Sequence, residues 1–153
     1  FDAVCVAQAL HWFDAPAFFC EARRVLKTDG VFVAWGYSWF RISPAFDALF
    51  KRAILDVVDA DWAPHNRLLW DGYRDVIMPF APIATPSFAI RETWNLYQLL
   101  AYVRTWSAVR RCMARRGDGF LTNAGAMLAE SWGAPEITRE VVMPLAMVAG
   151  RNI

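Results

Sequence analysis

A chain of 153 residues, 57% hydrophobic and 15% aromatic, has the material for one folded domain that buries roughly 70% of its unfolded surface, which excludes a disordered chain. A net charge of +1 provides no broad field for nucleic acid or an acidic membrane, and no apolar run is long enough to span a bilayer. The protein therefore reads as soluble and cytoplasmic. Eight tryptophans exceed what packing alone usually demands. Cys5, Cys20 and Cys112 stand isolated, without CxxC spacing, and are expected as buried thiols in a reducing compartment. With two distant histidines and those scattered cysteines, no metal-ligand spacing exists.

Phe1–Ala7 reads as a strand whose Val4, Cys5, Val6 and Ala7 are nearly continuously apolar, the pattern of a strand covered on both faces. Asp14 is placed to cap a helix from Ala15 to about Lys27, with Pro16 in its first turn. Phe18, Phe19, Ala22, Val25 and Leu26 share one face of that helix. Gly30 turns the chain into a second strand, Val31–Trp35, which ends on Gly36. Strand, helix and strand of these lengths make a right-handed βαβ unit with parallel strands. In open α/β sheets ligands lie beyond the carboxyl ends of such strands, here Gln8–Trp12 and Trp35–Trp39.

Ser43-Pro44 then starts a helix that runs to about Ala60. Residues 61–82, rich in Trp, Tyr, Pro and Gly and weakly periodic, read as a lid or substrate loop. A third strand is predicted over Ser87–Trp94. Asn95 and Gln98 spell a capping box for a helix that continues, bent near Ser107, to Arg116. A further helix spans Leu121–Trp132, and a last strand spans Glu140–Ala149, with Pro144 implying a bulge or a missing ladder bond. Because the sequence opens inside a strand pattern, it reads as a piece of a longer protein.

His11 is the candidate catalytic residue, as a base or as a group orienting an acceptor; the plainer alternative is a histidine that satisfies the turn after the strand. Trp12, Trp35, Tyr37, Trp39, Trp62 and Trp70 are candidates for an aromatic cage around a cation or an apolar acceptor, against a reading as core packing. Arg67 and Arg74 are candidates for a substrate carboxylate. Arg110, Arg111, Arg115 and Arg116 form the one basic cluster, explained by complementing a helix end rather than by nucleic acid.

Three passages resemble the C-terminal part of class I S-adenosylmethionine-dependent methyltransferases, in particular the small-molecule enzymes similar to trans-aconitate methyltransferase. The first is Phe1-Asp2-Ala3-Val4 through Gln8-Ala9-Leu10-His11-Trp12-Phe13-Asp14, similar to the family's fourth-strand motif. The second is Glu21-Ala22-Arg23-Arg24-Val25-Leu26-Lys27 through Gly30-Val31-Phe32-Val33-Ala34-Trp35, which leads into the fifth strand. The third comprises Gly72-Tyr73-Arg74-Asp75, Pro79-Phe80, Thr105-Trp106-Ser107 and Pro144-Leu145-Ala146-Met147.

The resemblance implies a truncated Rossmann-like α/β fold: a small mixed sheet in the family order fourth, fifth, seventh, sixth, flanked by helices, all in a single domain. It implies S-adenosylmethionine as cofactor, with Gln8 and its neighbours Ala7 and Ala9 against the methionine end. Trp12, Trp35, Tyr37, Trp39 and Arg67 would line a small carboxylate or apolar acceptor. The family's glycine-rich loop and ribose-holding acidic residue have no equivalent here, so the expectation is methyl transfer by the complete domain and inactivity of this piece. The alternative is a non-catalytic ligand-binding or oligomerisation module. The edge of strand Phe1–Ala7 is then a candidate surface for a homodimer.

Overall fold

The computed structural model describes all of residues 1–153, which divide into two compact units. The first comprises Phe1–Trp39, Pro64–Ile90 and Met143–Ile153; the second comprises Phe40–Ala63 and Arg91–Val142.

In the first unit, β1 (Ala3–Ala7) leads through a 3-10 turn (Leu10–Trp12) into helix α1 (Ala15–Val25) and strand β2 (Val31–Tyr37). Asp14 caps α1 by accepting from the amide of Ala17 at 3.1 Å. β1 and β2 are parallel, in register from Ala3↔Val31 to Ala7↔Trp35. β5 (Arg139–Arg151) lies antiparallel to β2, from Val31↔Arg151 to Tyr37↔Leu145. Its pairing with β2 stops at Leu145, beside Pro144, which has no amide to donate.

Two strands share the other edge of β5: β3 (Ala81–Ile83), and β4 (Ala89–Trp94). The order β1-β2-β5-β4 is the mixed sheet that the resemblance implies, with β3 as an addition that residue patterning missed. β3 is three residues long and contains Pro82, too short for an alternating pattern.

The core of this unit lies on one face of the sheet. Val6 of β1 and Phe32 and Ala34 of β2 are covered by Phe19, Ala22 and Leu26 from α1 and its end, and by Leu69, Tyr73 and Phe80. Phe32 meets Phe19 edge-on at 5.5 Å and stacks on Phe80 at 5.2 Å. The expectation that β1 is covered on both faces is corrected, since Ala3, Cys5 and Ala7 are exposed and only Val4 and Val6 turn toward α1. The small side chains of the first three made the strand read as uniformly apolar, yet they alternate with the two valines. The expectation of buried thiols fails for the same geometric reason at Cys5, and also at Cys20 on the outer side of α1; only Cys112 is buried.

Residues 61–82 are more ordered than their weak periodicity implies. They contain α4 (Asn66–Trp70), whose end is closed by two bonds, Gly72 N–H to Leu69 O at 2.9 Å and Tyr73 N–H to Leu68 O at 2.9 Å. This pair, with Gly72 at φ 68°, is the Schellman arrangement, and it turns Tyr73 back into the core.

In the second unit, α2 (Pro44–Phe50) is capped by Ser43 and runs on through a π-type stretch, Lys51–Leu55, into α3 (Asp56–Val58) and a 3-10 turn ending at Asp61. α5 (Leu96–Arg104) carries both halves of the predicted capping box, each at 2.9 Å. The chain breaks at Thr105–Trp106, at the predicted bend, and continues as α6 (Ser107–Arg116) and α7 (Gly119–Trp132). Phe46 packs edge-on against Trp132 at 5.2 Å, and Phe50 against Trp106 at 5.9 Å. Two members of the basic cluster are tethered rather than free: Arg115 pairs with the Asp61 carboxylate and Arg111 donates to the Asp61 carbonyl, both at 2.6 Å. No helix is long and apolar enough to cross a membrane.

Two glycines provide a test of this packing. A Cβ on Gly150 would lie 2.5 Å from Cβ of Phe80, whereas one on Gly72 would meet nothing and carry only the strain of its positive φ. Gly150→Ala is expected to cost at least about 1–3 kcal/mol and Gly72→Ala about 1 kcal/mol, compared by urea denaturation midpoints.

Candidate functional site

The carboxyl ends of β1 and β2 are joined by Gln8. This residue sits at φ 53°, a conformation that costs a non-glycine residue about 1–2 kcal/mol. Three hydrogen bonds offset the cost. Its amide donates to Trp35 O at 2.8 Å, its side-chain Nε2 donates to Tyr37 O at 2.9 Å, and its Oε1 accepts from Tyr37 N–H at 2.8 Å. The side chain can reach across because residue 36 is glycine. A Cβ there would stand 2.7 Å from Leu69 Cδ1, 2.8 Å from Gln8 Oε1 and 2.9 Å from the Tyr73 hydroxyl.

Beyond Gln8 the 3-10 turn, held by Trp12 N–H to Ala9 O at 2.9 Å, points Leu10 and His11 inward and leaves Trp12 54% exposed. His11 is 6% exposed; its ring faces that of His65 at 5.9 Å, and Trp12 lies 4.1 Å from His65. Burial first, and the neighbouring His65 second, hold the His11 imidazole below its ordinary pKa of 6.5.

Four buried side-chain polar atoms have no hydrogen-bond partner in the protein: His11 Nδ1, His65 Nε2, Asn66 Nδ2 and the Tyr73 hydroxyl. Burial raises the Tyr73 phenol to about 12, so it remains a donor throughout the physiological range. Unpaired buried polar groups are uncommon in proteins, and at least three of these four, on His11, His65 and Tyr73, lie by the strand ends.

Ala7, Gln8 and Ala9 thus stand at the tip of β1, with Ala7 and Gln8 exposed, but the Gln8 amide is already engaged with Tyr37. Trp35 and Tyr37 are half-buried on β2, and Trp39 packs on Trp70 at 5.1 Å. Arg67 is exposed on α4, and Arg74 donates through Nε to Asp71 O at 3.1 Å. Trp62 belongs to the second unit, where it packs on Trp106 at 5.9 Å. His65, Asn66 and Tyr73 were not singled out from the sequence as site residues. Each is a common residue in an aperiodic stretch, and only the fold of α4 and its closing turn brings His65 beside His11 and Tyr73 beside Gly36.

Residues 1–34 match the family described as a methyltransferase domain. A solved candidate type II methyltransferase from Anaeromyxobacter dehalogenans is 36% identical and superimposes with a TM-score of 0.89 over 99% of this chain and 64% of its own. A candidate methyltransferase of Dictyostelium discoideum is 28% identical over 109 residues, 69% of this chain and 41% of that protein. The chain has the Rossmann-like fold of a class I methyltransferase, and its first 34 residues match the methyltransferase-domain family. It spans less than two thirds of the length of either relative.

Two expectations follow from the site. His11 resists protonation in the folded state, so below pH 6.5 the unfolded chain binds more protons, and stability contributed above that pH is lost as pH falls toward the depressed folded value. The melting temperature is expected to drop between about pH 7 and about pH 5, and His11→Gln is expected to flatten that slope. Tyr73→Phe removes a hydroxyl with no protein partner, so its denaturation midpoint is expected to be unchanged or higher by about 1 kcal/mol; a loss of stability would reveal a structural bond at that oxygen.

Proposed function

We propose that the chain is part of an S-adenosylmethionine-dependent methyltransferase whose small acceptor, a carboxylate or an apolar molecule, is held at the ends of β1 and β2. The observation that carries this reading is the set of four unpartnered buried polar groups on His11, His65, Asn66 and Tyr73. An acceptor with oxygen or nitrogen functions is the kind of molecule that would satisfy them.

The residues of the strand tip suit the cofactor on their backbone side. Ala7 and Gln8 are exposed there, and the positive φ of Gln8 turns the chain out of the strand. Ala7, Gln8 and Ala9 would hold the methionine end, and the cofactor when bound supplies a methyl group on a sulfonium. The residues of this chain then have positioning to do, which accounts for much of the rate of an in-line displacement. His11, with its basicity lowered, is neutral near pH 7 and is able to take a proton from the acceptor or to orient it. Trp12, Trp35, Tyr37 and Trp39 supply aromatic faces for a cation or an apolar acceptor. Arg67 is the guanidinium for an acceptor carboxylate. Residues 61–82 act as the substrate segment, since His65, Asn66 and Tyr73 all lie on it. A cytoplasmic location suits such a reaction.

A second reading is favoured by one observation. The Gln8 side chain holds Tyr37 through both Nε2 and Oε1, and β1 is the end strand of the sheet, with Ala3, Cys5 and Ala7 exposed on its uncovered face. In that reading the chain is a non-catalytic binding module that pairs with a second copy through β1.

Titration calorimetry with S-adenosylhomocysteine separates the two. The methyltransferase reading expects binding by a chimera that adds the part of the Anaeromyxobacter protein this chain does not span, and tenfold or weaker binding by residues 1–153 alone. Absence of binding in both, with a dimer of residues 1–153 by sedimentation, would sink it in favour of the second.

A further inference from the structure

The first unit carries a second concave feature, unrelated to the polar groups at the strand ends. Between α1 and the segment 68–79 runs an open groove of about 750 Å³. Phe19, Cys20 and Arg23 form one wall and Leu68, Val76 and Ile77 the other. The walls are overwhelmingly apolar, and the volume falls in the range of sites that take small molecules. Ile77 stands 92% exposed at the rim, an apolar side chain whose burial an occupant would gain.

The charges at the rim select the occupant. Arg24, the neighbour of Arg23, is held by Glu21 at 2.5 Å, and Lys27 is held by Asp2 at 2.8 Å. Arg23 has no carboxylate within ion-pair distance, and its guanidinium is the one cation lining the groove. Asp75 is the one anion there. A guanidinium takes a carboxylate by two parallel hydrogen bonds, which Asp75 cannot match for a simple ammonium head. An apolar trough with one unpaired arginine in its wall therefore complements an apolar chain ending in a carboxylate.

We propose that this groove binds a medium-chain fatty acid, with its alkyl chain along Phe19, Leu68, Val76 and Ile77 and its carboxylate on Arg23. This inference goes beyond methyl transfer and does not depend on it.

The cysteines provide the assay. Cys20 lines the groove and is exposed, Cys5 is exposed on β1 outside it, and Cys112 is buried. Maleimide labelling of the folded chain, followed residue by residue by mass spectrometry, is run with hexanoate, octanoate and decanoate. The acids are expected to slow labelling of Cys20 and leave Cys5 unchanged, with the half-protecting concentration falling about fourfold per added methylene. Arg23→Gln is expected to weaken protection by decanoate about tenfold and leave protection by decanol unchanged. Asp75→Asn is expected to tighten decanoate. The proposal is overturned by any of three results: no protection by decanoate, equal protection by all three acids, or stronger protection by decylammonium. Labelling of Cys112 on adding decanoate would also overturn it, by showing that the amphiphile unfolds the chain.

Discussion

The first unit depends on the side-chain amide of Gln8, which bridges the backbone of Tyr37 on the neighbouring strand. A parallel pair has no hairpin to tie its strand ends, because the crossover through α1 returns at the opposite end of the strands. Gln8 supplies the tie as a third rung beyond the regular ladder, after its own amide has bonded Trp35. The left-handed backbone of Gln8 lets main chain and side chain reach β2 together. Gly36 keeps the route clear, and Leu69 and the Tyr73 hydroxyl crowd the same spot from α4 and its closing turn. One amide therefore sets the distance between the two strand tips, and with it the frame in which His11 and the aromatic side chains stand.

That arrangement divides the polar and apolar work of the unit. At the strand tips, groups that burial makes costly to leave unpaired gather around His11, His65 and Tyr73, and burial also keeps the imidazole and the phenol in their neutral forms. Between α1 and residues 68–79 the groove is lined mainly by apolar side chains, with Arg23 its one cation and Asp75 its one anion. Segment 66–80 serves both places. Its inward residues Leu69, Tyr73 and Phe80 complete the core with Val76 packed beside them, while Ile77 looks outward. A stretch with such divided duties shows no single period, which is why it read as a loop.

Legibility followed the range of the interaction. Asp14, Ser43 and the Asn95–Gln98 box act within a single helical turn, and each was readable because donor and acceptor are three residues apart. The bend at Ser107 and the parallel βαβ unit were likewise matters of local spacing. Gln8 was singled out for its place at a strand end, but its bond to a residue 29 positions away has no local signature. The exposure of Cys5 and Cys20 has no signature in the sequence, because small side chains look alike on the covered and open faces of a strand or helix. The resemblance to class I methyltransferases rests chiefly on the residues of the first two strands and the helix between them, and the fold and the match over residues 1–34 agree with it.

Most of the strands, helices and caps were legible in the residues alone, because side chains a few positions apart dictate them, and the order of the sheet followed from the resemblance. Only the tertiary structure decided which polar groups are buried together, that the Gln8 amide is spent on Tyr37, and that α1 and residues 68–79 enclose a groove. Those facts depend on contacts between distant parts of the chain, where the energy of a group is set by what the fold places against it and no spacing rule announces it.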